Sequence, residues 1–169
     1  SGYIKRNAVS LYRAQRRGGK GKIGMGIKEE DFVENLFTAS THDALLFFTD
    51  AGKVYWLKVH EIPEASRAAK GKALVNLLAL AGGEMVTATL PVKEYREDRF
   101  VVMATKKGLI KKTELSAYSN PRQGGIIALG LEEGDKLIGV QLTDGQREIL
   151  LGTTQGITIR FKEEEVRPM

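Results

Sequence analysis

Residues 15–21 read Gln15-Arg16-Arg17-Gly18-Gly19-Lys20-Gly21. Three cations and three glycines in so short a stretch could hold phosphate. Glycine lets the backbone approach an oxyanion closely, and flanking arginines add charge-assisted, often bidentate, hydrogen bonds. The pattern returns, weaker, in Arg67-Ala68-Ala69-Lys70-Gly71-Lys72 and in Pro121-Arg122-Gln123-Gly124-Gly125. A second cationic set comprises Lys5 and Arg6, Lys111 and Lys112, and Arg160, with Tyr55 and Trp56 at the corresponding place in between and Lys58 nearby. Any one of these could be an ordinary solvated basic turn or strand face. Their recurrence argues for a track of phosphate contacts.

Other chemistry finds no foothold. Gly19-Lys20-Gly21-Lys22-Ile23-Gly24 matches G-x-G-x-x-G in form only. Two arginines precede it where a strand should stand, and Gly24 and Gly26 break any helix that should follow. His42 and His60 have no partner at metal-ligand spacing, and the chain has no cysteine. No tyrosine lies with the arginine and acids that covalent cleavage of a nucleic-acid strand requires, and no serine–histidine–aspartate set can be assembled. The expectation is therefore no catalytic residue, no metal ligand and no cofactor. The acidic runs Glu29-Glu30, Glu132-Glu133 and Glu163-Glu164-Glu165 read as turn acids that keep one edge negative.

Charge distribution says more than net charge. The chain of 169 residues carries +5 with a pI near 9.4. Its first 22 residues hold Lys5, Arg6, Arg13, Arg16, Arg17, Lys20 and Lys22 and no acid. A concentrated positive surface attracts polyanions, because each phosphate neutralised releases condensed counterions. No apolar run is long enough to span a bilayer, and no signal segment is evident, so a cytoplasmic setting without membrane contact is expected.

The elements that must position these cations show a repeat. Gly2-Tyr-Ile-Lys-Arg6, Gly52-Lys-Val-Tyr-Trp56, Gly108-Leu-Ile-Lys-Lys112 and Gly156-Ile-Thr-Ile-Arg160 recur at spacings of 50, 56 and 48 residues. Thr49, Thr105 and Thr153 each stand three residues before such a glycine, behind an apolar run. This predicts a strand, a tight turn in which glycine supplies positive φ, and a second strand. A second glycine, Gly19, Gly71 or Gly125, follows 17, 19 or 17 residues later. Strands are expected after it at Ile23–Ile27, Ala73–Leu78 and Ile126–Leu129, and again at Asp31–Val33, Glu84–Ala88 and Asp135–Val140. Four short strands per repeat of roughly 50 residues is the arithmetic of a propeller blade. Helix is expected at most as a single turn within Glu61–Ala73. The repeats fall at about 1–48, 49–104 and 105–152, with a fourth beginning at 153–169.

The seven-residue box at 15–21 resembles, in full, the one that characterises the C-terminal domain of the A subunit of bacterial DNA gyrase. The similarity extends from Gly2-Tyr3-Ile4-Lys5-Arg6 through Ala68, Lys70-Gly71-Lys72 and Val75-Asn76-Leu77-Leu78 to Arg160-Phe161-Lys162-Glu163 and Val166-Arg167. The related domain of topoisomerase IV typically lacks this box or carries a degenerate one. The resemblance implies an all-β fold, a β-pinwheel of propeller-like blades with four antiparallel strands each, here three repeats plus the first hairpin of a fourth. It implies a non-catalytic module whose rim binds and bends duplex DNA, wrapping it chirally so that ATP-driven strand passage introduces negative supercoils. The implied DNA-binding residues are Lys5, Arg6, Arg13, Gln15, Arg16, Arg17, Gly18, Gly19, Lys20, Gly21, Lys22, Arg67, Lys70, Lys72, Lys111, Lys112 and Arg122. The implied partners are duplex DNA, the gyrase A N-terminal domain and the gyrase B subunit. ATP and Mg would act on other domains, in a bacterial, nucleoid-associated assembly. In the complete family disc the box loop also helps join the first blade to the last. With only part of the disc in this chain, either an open arc or pairing of two copies through exposed strand edges is expected. The alternatives are a propeller-like platform for an acidic protein partner and the related domain of topoisomerase IV.

Overall fold

The computed structural model describes residues 2–12, 14, 16–21, 23–26 and 32–169. Among the described residues eleven strands run in chain order: β1 (Tyr3–Ile4), β2 (Ala44–Thr49), β3 (Lys53–Lys58), β4 (Lys72–Ala73), β5 (Val86–Val92), β6 (Phe100–Thr105), β7 (Ile110–Glu114), β8 (Ile126–Ile127), β9 (Leu137–Thr143), β10 (Glu148–Gly152) and β11 (Thr158–Lys162). Among the described residues the only helical elements are short 3-10 turns. The sheets are β1–β4, β5–β2–β3–β8, β7–β6–β9 and β10–β11, and every strand pair is antiparallel.

The repeating threonine and glycine build the hairpins. The Gly52, Gly108 and Gly156 amides donate to the carbonyls of Thr49, Thr105 and Thr153 at 2.9, 3.0 and 3.0 Å. The threonine hydroxyl then fastens the far side of the turn, accepting from Leu109 N in one hairpin and Ile157 N in another, at 3.1 and 3.2 Å. A short hydroxyl side chain can bond the backbone a few residues away, which is why threonine precedes the glycine at fixed spacing.

Each unit then lends a strand to its neighbour. Counting units from the anchor glycines, β4 leaves the second unit and pairs with β1 of the first, Tyr3 opposite Ala73. In the same way β8 leaves the third unit and pairs with β3 of the second, Lys53 opposite Ile127. β5 and β9 turn back to pair with β2 and β6, the strands that lead into the Gly52 and Gly108 turns at the start of their own units. The blade β5–β2–β3–β8 is thus four-stranded only because its last strand comes from the next unit.

A blade held between two others is buried on both faces. In β2, Leu46 and Phe48 enter one core with Val54, Val101, Met103, Leu115 and Leu137. Leu45 and Phe47 enter a second core with Tyr55, Leu57, Ile62, Leu74 and Leu78. This two-sided burial accounts for the unbroken apolar run Ala44–Phe48, where a half-exposed strand would alternate. In the β10–β11 hairpin of the fourth unit, Leu150 and Ile159 stay exposed.

Several expected elements differ. Ile23, Gly24, Met25 and Gly26 are not strand, and neither are Phe32 and Val33; Ile27 and Asp31 lie outside the described residues. The lent strands are shorter than expected, because the chain passes from Lys72–Ala73 straight into a 3-10 turn at Leu74–Asn76. The helical turn expected within Glu61–Ala73 lies instead at its two flanks, in 3-10 turns over Val59–Glu61 and Leu74–Asn76, because Arg6 and Ile4 of the first unit claim the backbone between them.

Candidate nucleic-acid interface

The basic glycine stretches are equivalent turns. A backbone hydrogen bond closes each: Gly19 N to Arg16 O at 3.1 Å, Ala69 N to Ser66 O at 3.0 Å and Gly125 N to Arg122 O at 2.9 Å. In all three the closing residue lies 17 positions past the anchor glycine. The equivalent of Gly19 in the second unit is therefore Ala69, and Gly71 corresponds to Gly21. This corrects the expected spacing of 19 and aligns Lys70 with Lys20. The glycine spacing misled because alanine closes the second turn, while Gly71 stands two residues on, where the chain passes close to Ile4.

Beyond the turn, the chain crosses the preceding unit at close quarters. At Gly71, φ is +92° and a Cβ would sit 2.5 Å from the carbonyl oxygen of Ile4. At Gly125, φ is +71° and a Cβ would sit 2.9 Å from the carbonyl oxygen of Val54 and 2.8 Å from the Tyr55 ring. Ile4 and Val54 both stand two residues past their anchor glycines, so successive units seat on equivalent points of successive blades, but with a shift of two residues: Lys72, 20 past Gly52, lies opposite Ile4, and Ile126, 18 past Gly108, lies opposite Val54. The segment after the first turn also touches the second, since a Cβ on Gly26 would meet the Ala68 carbonyl oxygen at 2.5 Å.

The expected site residues divide into two groups. Arg16, Arg17, Lys20, Lys72 and Arg122 are exposed, and their side chains make no hydrogen bond or ion pair with any described residue. Gly18, Gly19 and Gly21 are exposed beside them. Arg67 is half-buried, and its Nε has no hydrogen-bond partner among the described residues. Lys70 Nζ lies 4.2 Å from the centroid of the Tyr3 ring, a cation–π contact that the sequence pattern did not reveal. Arg13, Gln15 and Lys22 lie outside the described residues.

The cations that follow the anchor glycines are engaged with protein. Lys5 Nζ donates to the carbonyls of Ser66, Arg67 and Ala69. Arg6 Nε donates to Ile62 O at 2.8 Å, and its guanidinium pairs with Glu64 at 3.3 Å. Lys111 Nζ donates to Ala128 O at 2.9 Å. Lys112 is buried, with Nζ 2.8 Å from Glu163 O and 4.0 Å from Glu163 Oε1. Trp56, the equivalent of Arg6, donates Nε1–H to Tyr118 O at 2.8 Å. Ile62 and Tyr118 each lie ten residues past their own anchor glycine. One position thus ties each blade to the next unit with a different side chain.

Two carboxylates serve as internal hubs. Glu84 accepts from Thr49 Oγ1, Tyr55 OH and Ala81 N. Burial pushes its pKa up, but those three donors outweigh burial and hold the carboxyl below its ordinary value. Burial together with the Glu84 charge pushes the Tyr55 phenol up to about 12. Glu163 is fully buried and accepts from Thr143 Oγ1 and Arg147 N. Reading it as a solvated turn acid was wrong, because it occupies the place that apolar Val59 and Leu115 fill in other units, seven residues past the anchor glycine. Among the described residues no group of His, Cys, Asp or Glu is arranged to hold a metal ion. Among the described residues no helix is long and apolar enough to cross a membrane.

The family model for "DNA gyrase C-terminal domain, beta-propeller" matches residues 1–40, 43–93, 99–144 and 147–169, four segments that follow the four units. The chain belongs to the DNA gyrase C-terminal domain family. Among curated proteins it is 54% identical over 168 residues to the A subunit of DNA gyrase from Aeromonas salmonicida, covering 99% of this chain and 18% of that protein. It is 50% identical over 168 residues to the A subunit of DNA gyrase from Halalkalibacterium halodurans, covering 99% of this chain and 20% of that protein. The chain therefore spans about a fifth of the length of these relatives. Among solved structures, a topoisomerase IV C-terminal domain superposes with a TM-score of 0.85 at 28% identity, over 99% of this chain and 51% of that one. A DNA gyrase A C-terminal domain superposes with a TM-score of 0.66 at 21% identity, over 99% of this chain and 54% of that one, a likeness of fold.

Proposed function

We propose that this chain is a non-catalytic module that binds duplex DNA and bends it around the edge formed by its turns. Within a longer type II topoisomerase, it would wrap DNA chirally so that ATP-driven strand passage introduces negative supercoils. One observation carries the reading: exposed or half-buried arginines and lysines stand on or just past the equivalent turns of consecutive units, Arg16, Arg17 and Lys20 on the first, Arg67 and Lys72 on the second and Arg122 on the third. Contacts so spaced meet a continuous backbone and read charge and bendability rather than base edges, because they sit on turns and not on a groove-reading helix. The gyrase A N-terminal domain and the gyrase B subunit are the partners this reading implies. DNA cleavage and ATP hydrolysis belong to them.

Lys5, Arg6 and Lys112 hold neighbouring units together in this reading, Lys111 fastens the segment after β8 within its own unit, and the turn cations meet DNA. About six phosphates, met by Arg16, Arg17, Lys20, Arg67, Lys72 and Arg122, at about 0.9 each give a slope of log K against log salt of about −5.4. Fluorescence anisotropy with labelled duplexes of unrelated sequence tests it. Equal affinity across sequences and a slope of about that size are expected. A slope near zero, or binding that follows base sequence, overturns the reading.

A further inference from the structure

The loop that carries Arg67 and Lys70 is built on the first unit. Arg6 N donates to Pro63 O and Ala65 N to Arg6 O, at 3.2 and 3.3 Å. Asn7 Nδ2 donates to Ala65 O. Lys5 Nζ then reaches the turn itself, 3.1 Å from Ser66 O, 2.5 Å from Arg67 O and 2.8 Å from Ala69 O. An ammonium has three N–H donors, and here three carbonyls take them. Ser66 O is also the acceptor that closes the turn.

This arrangement has two consequences. Three carbonyl dipoles converge on one point in the turn, and without a cation there they would repel one another and any nearby phosphate. The ammonium neutralises that point from within. It also fixes the peptide planes on both sides of Arg67, and so the direction from which that side chain departs. We infer that Lys5 is a positioning residue for the second turn: it sets the turn that presents Arg67 to the DNA backbone and makes no phosphate contact itself. This inference rests on the DNA-binding reading above. The third turn is held differently, since there Gly125 packs on the ring of Tyr55, which occupies the place of Lys5 in the second unit.

The test is a double-mutant cycle with Lys5→Met and Arg67→Ala, read as affinity for a fluorescein-labelled DNA duplex. Each single variant is expected to bind about tenfold more weakly, the scale of one charge-assisted hydrogen bond. The double variant should bind no more weakly than Lys5→Met alone, because Arg67 is already misplaced there. Lys5→Arg should behave like Lys5→Met, since a planar guanidinium cannot cap three converging carbonyls. Additive losses, or a Lys5→Arg variant as good as wild type, overturn the inference by making Lys5 an independent phosphate contact. A purely structural role would lower the melting temperature and leave the affinity of the folded variants unchanged, which also overturns it. Lysine side-chain NMR of the wild-type protein needs no variant to fold. On adding duplex, the Lys20 and Lys72 ammonium signals should move and that of Lys5 should stay; movement of Lys5 alongside them refutes the proposal. If wild type shows no salt-dependent binding, the DNA reading fails. If it binds and the cycle is additive, only the role of Lys5 fails.

Discussion

Replacing Gly71 with alanine adds one methyl group where the second unit crosses the first. Two costs arise. The residue has φ of +92°, a left-handed conformation that costs an L side chain about 1–2 kcal/mol. The new Cβ would also lie 2.5 Å from the Ile4 carbonyl oxygen, 2.9 Å from its carbon and 3.1 Å from Lys5 Cβ. The nearest obstacles are backbone, so no rotamer change relieves the overlap. The crossing must open, at about 1–3 kcal/mol for overpacking of this kind. The total expected is about 2–5 kcal/mol. Gly108 supplies the control. Its φ is +91°, yet nothing lies within 4 Å of a Cβ built there. Gly108→Ala should therefore cost only the conformational share, about 1–2 kcal/mol. Urea unfolding followed by circular dichroism compares the two midpoints. Gly71→Ala should unfold at clearly lower urea than Gly108→Ala. Equal midpoints would refute the close crossing, and with it the seating of the turn on the first unit.

Further outcomes follow from the inter-unit contacts. Glu163→Gln leaves the buried Lys112 ammonium without its counter-charge, 4.0 Å away, and should cost about 3–5 kcal/mol, whereas replacing both by apolar residues should cost far less; thermal melts of the three proteins check this. Glu84 has its carboxyl held below the ordinary 4.5, so its contribution is present above that pH and is lost as pH falls through the depressed value. Acid unfolding of Glu84→Gln should accordingly be flatter than that of wild type. At the alkaline end the Tyr55 phenol, raised from 10.0 to about 12, contributes stability below the ordinary value that is lost as pH rises toward the raised one, and Tyr55→Phe should abolish that dependence. Trp56→Phe removes the donor to Tyr118 O and should cost about 1 kcal/mol by chemical denaturation.

The sequence showed the repeat because the hairpin chemistry is local. Threonine and glycine three residues apart make their bonds within one turn, so Thr105 and Gly108 carry the signal unaided. Exchange of strands between neighbouring blades, which distinguishes a β-pinwheel from a propeller, has no local signal and came only with the fold that the family resemblance implies. Nothing in Lys72-Ala73 or Ile126-Ile127 says that its partner is Tyr3-Ile4 or Lys53-Val54, since a two-residue strand has almost no pattern of its own. The basic turns were found by composition, and their register was missed in the second unit because Ala69 stands where glycine was sought. Charge alone could not separate Lys20, exposed on a turn, from Lys112, buried against Glu163. What distinguishes them is the neighbouring unit, which lies about 50 residues away in sequence. Glu163 misled for the same reason, as its partners Thr143 and Lys112 come from a different blade.

The central claim is that the row of turns bends DNA in one chiral sense. A topology assay tests it most directly: saturate nicked circular DNA with the protein, seal the nick with ligase, remove the protein and resolve the topoisomers. Positive writhe trapped in proportion to bound protein is the predicted result, diminished when Arg16, Arg17 and Lys20 are neutralised together. An unchanged topoisomer distribution at saturating protein, under salt conditions where binding is demonstrated, would contradict the account.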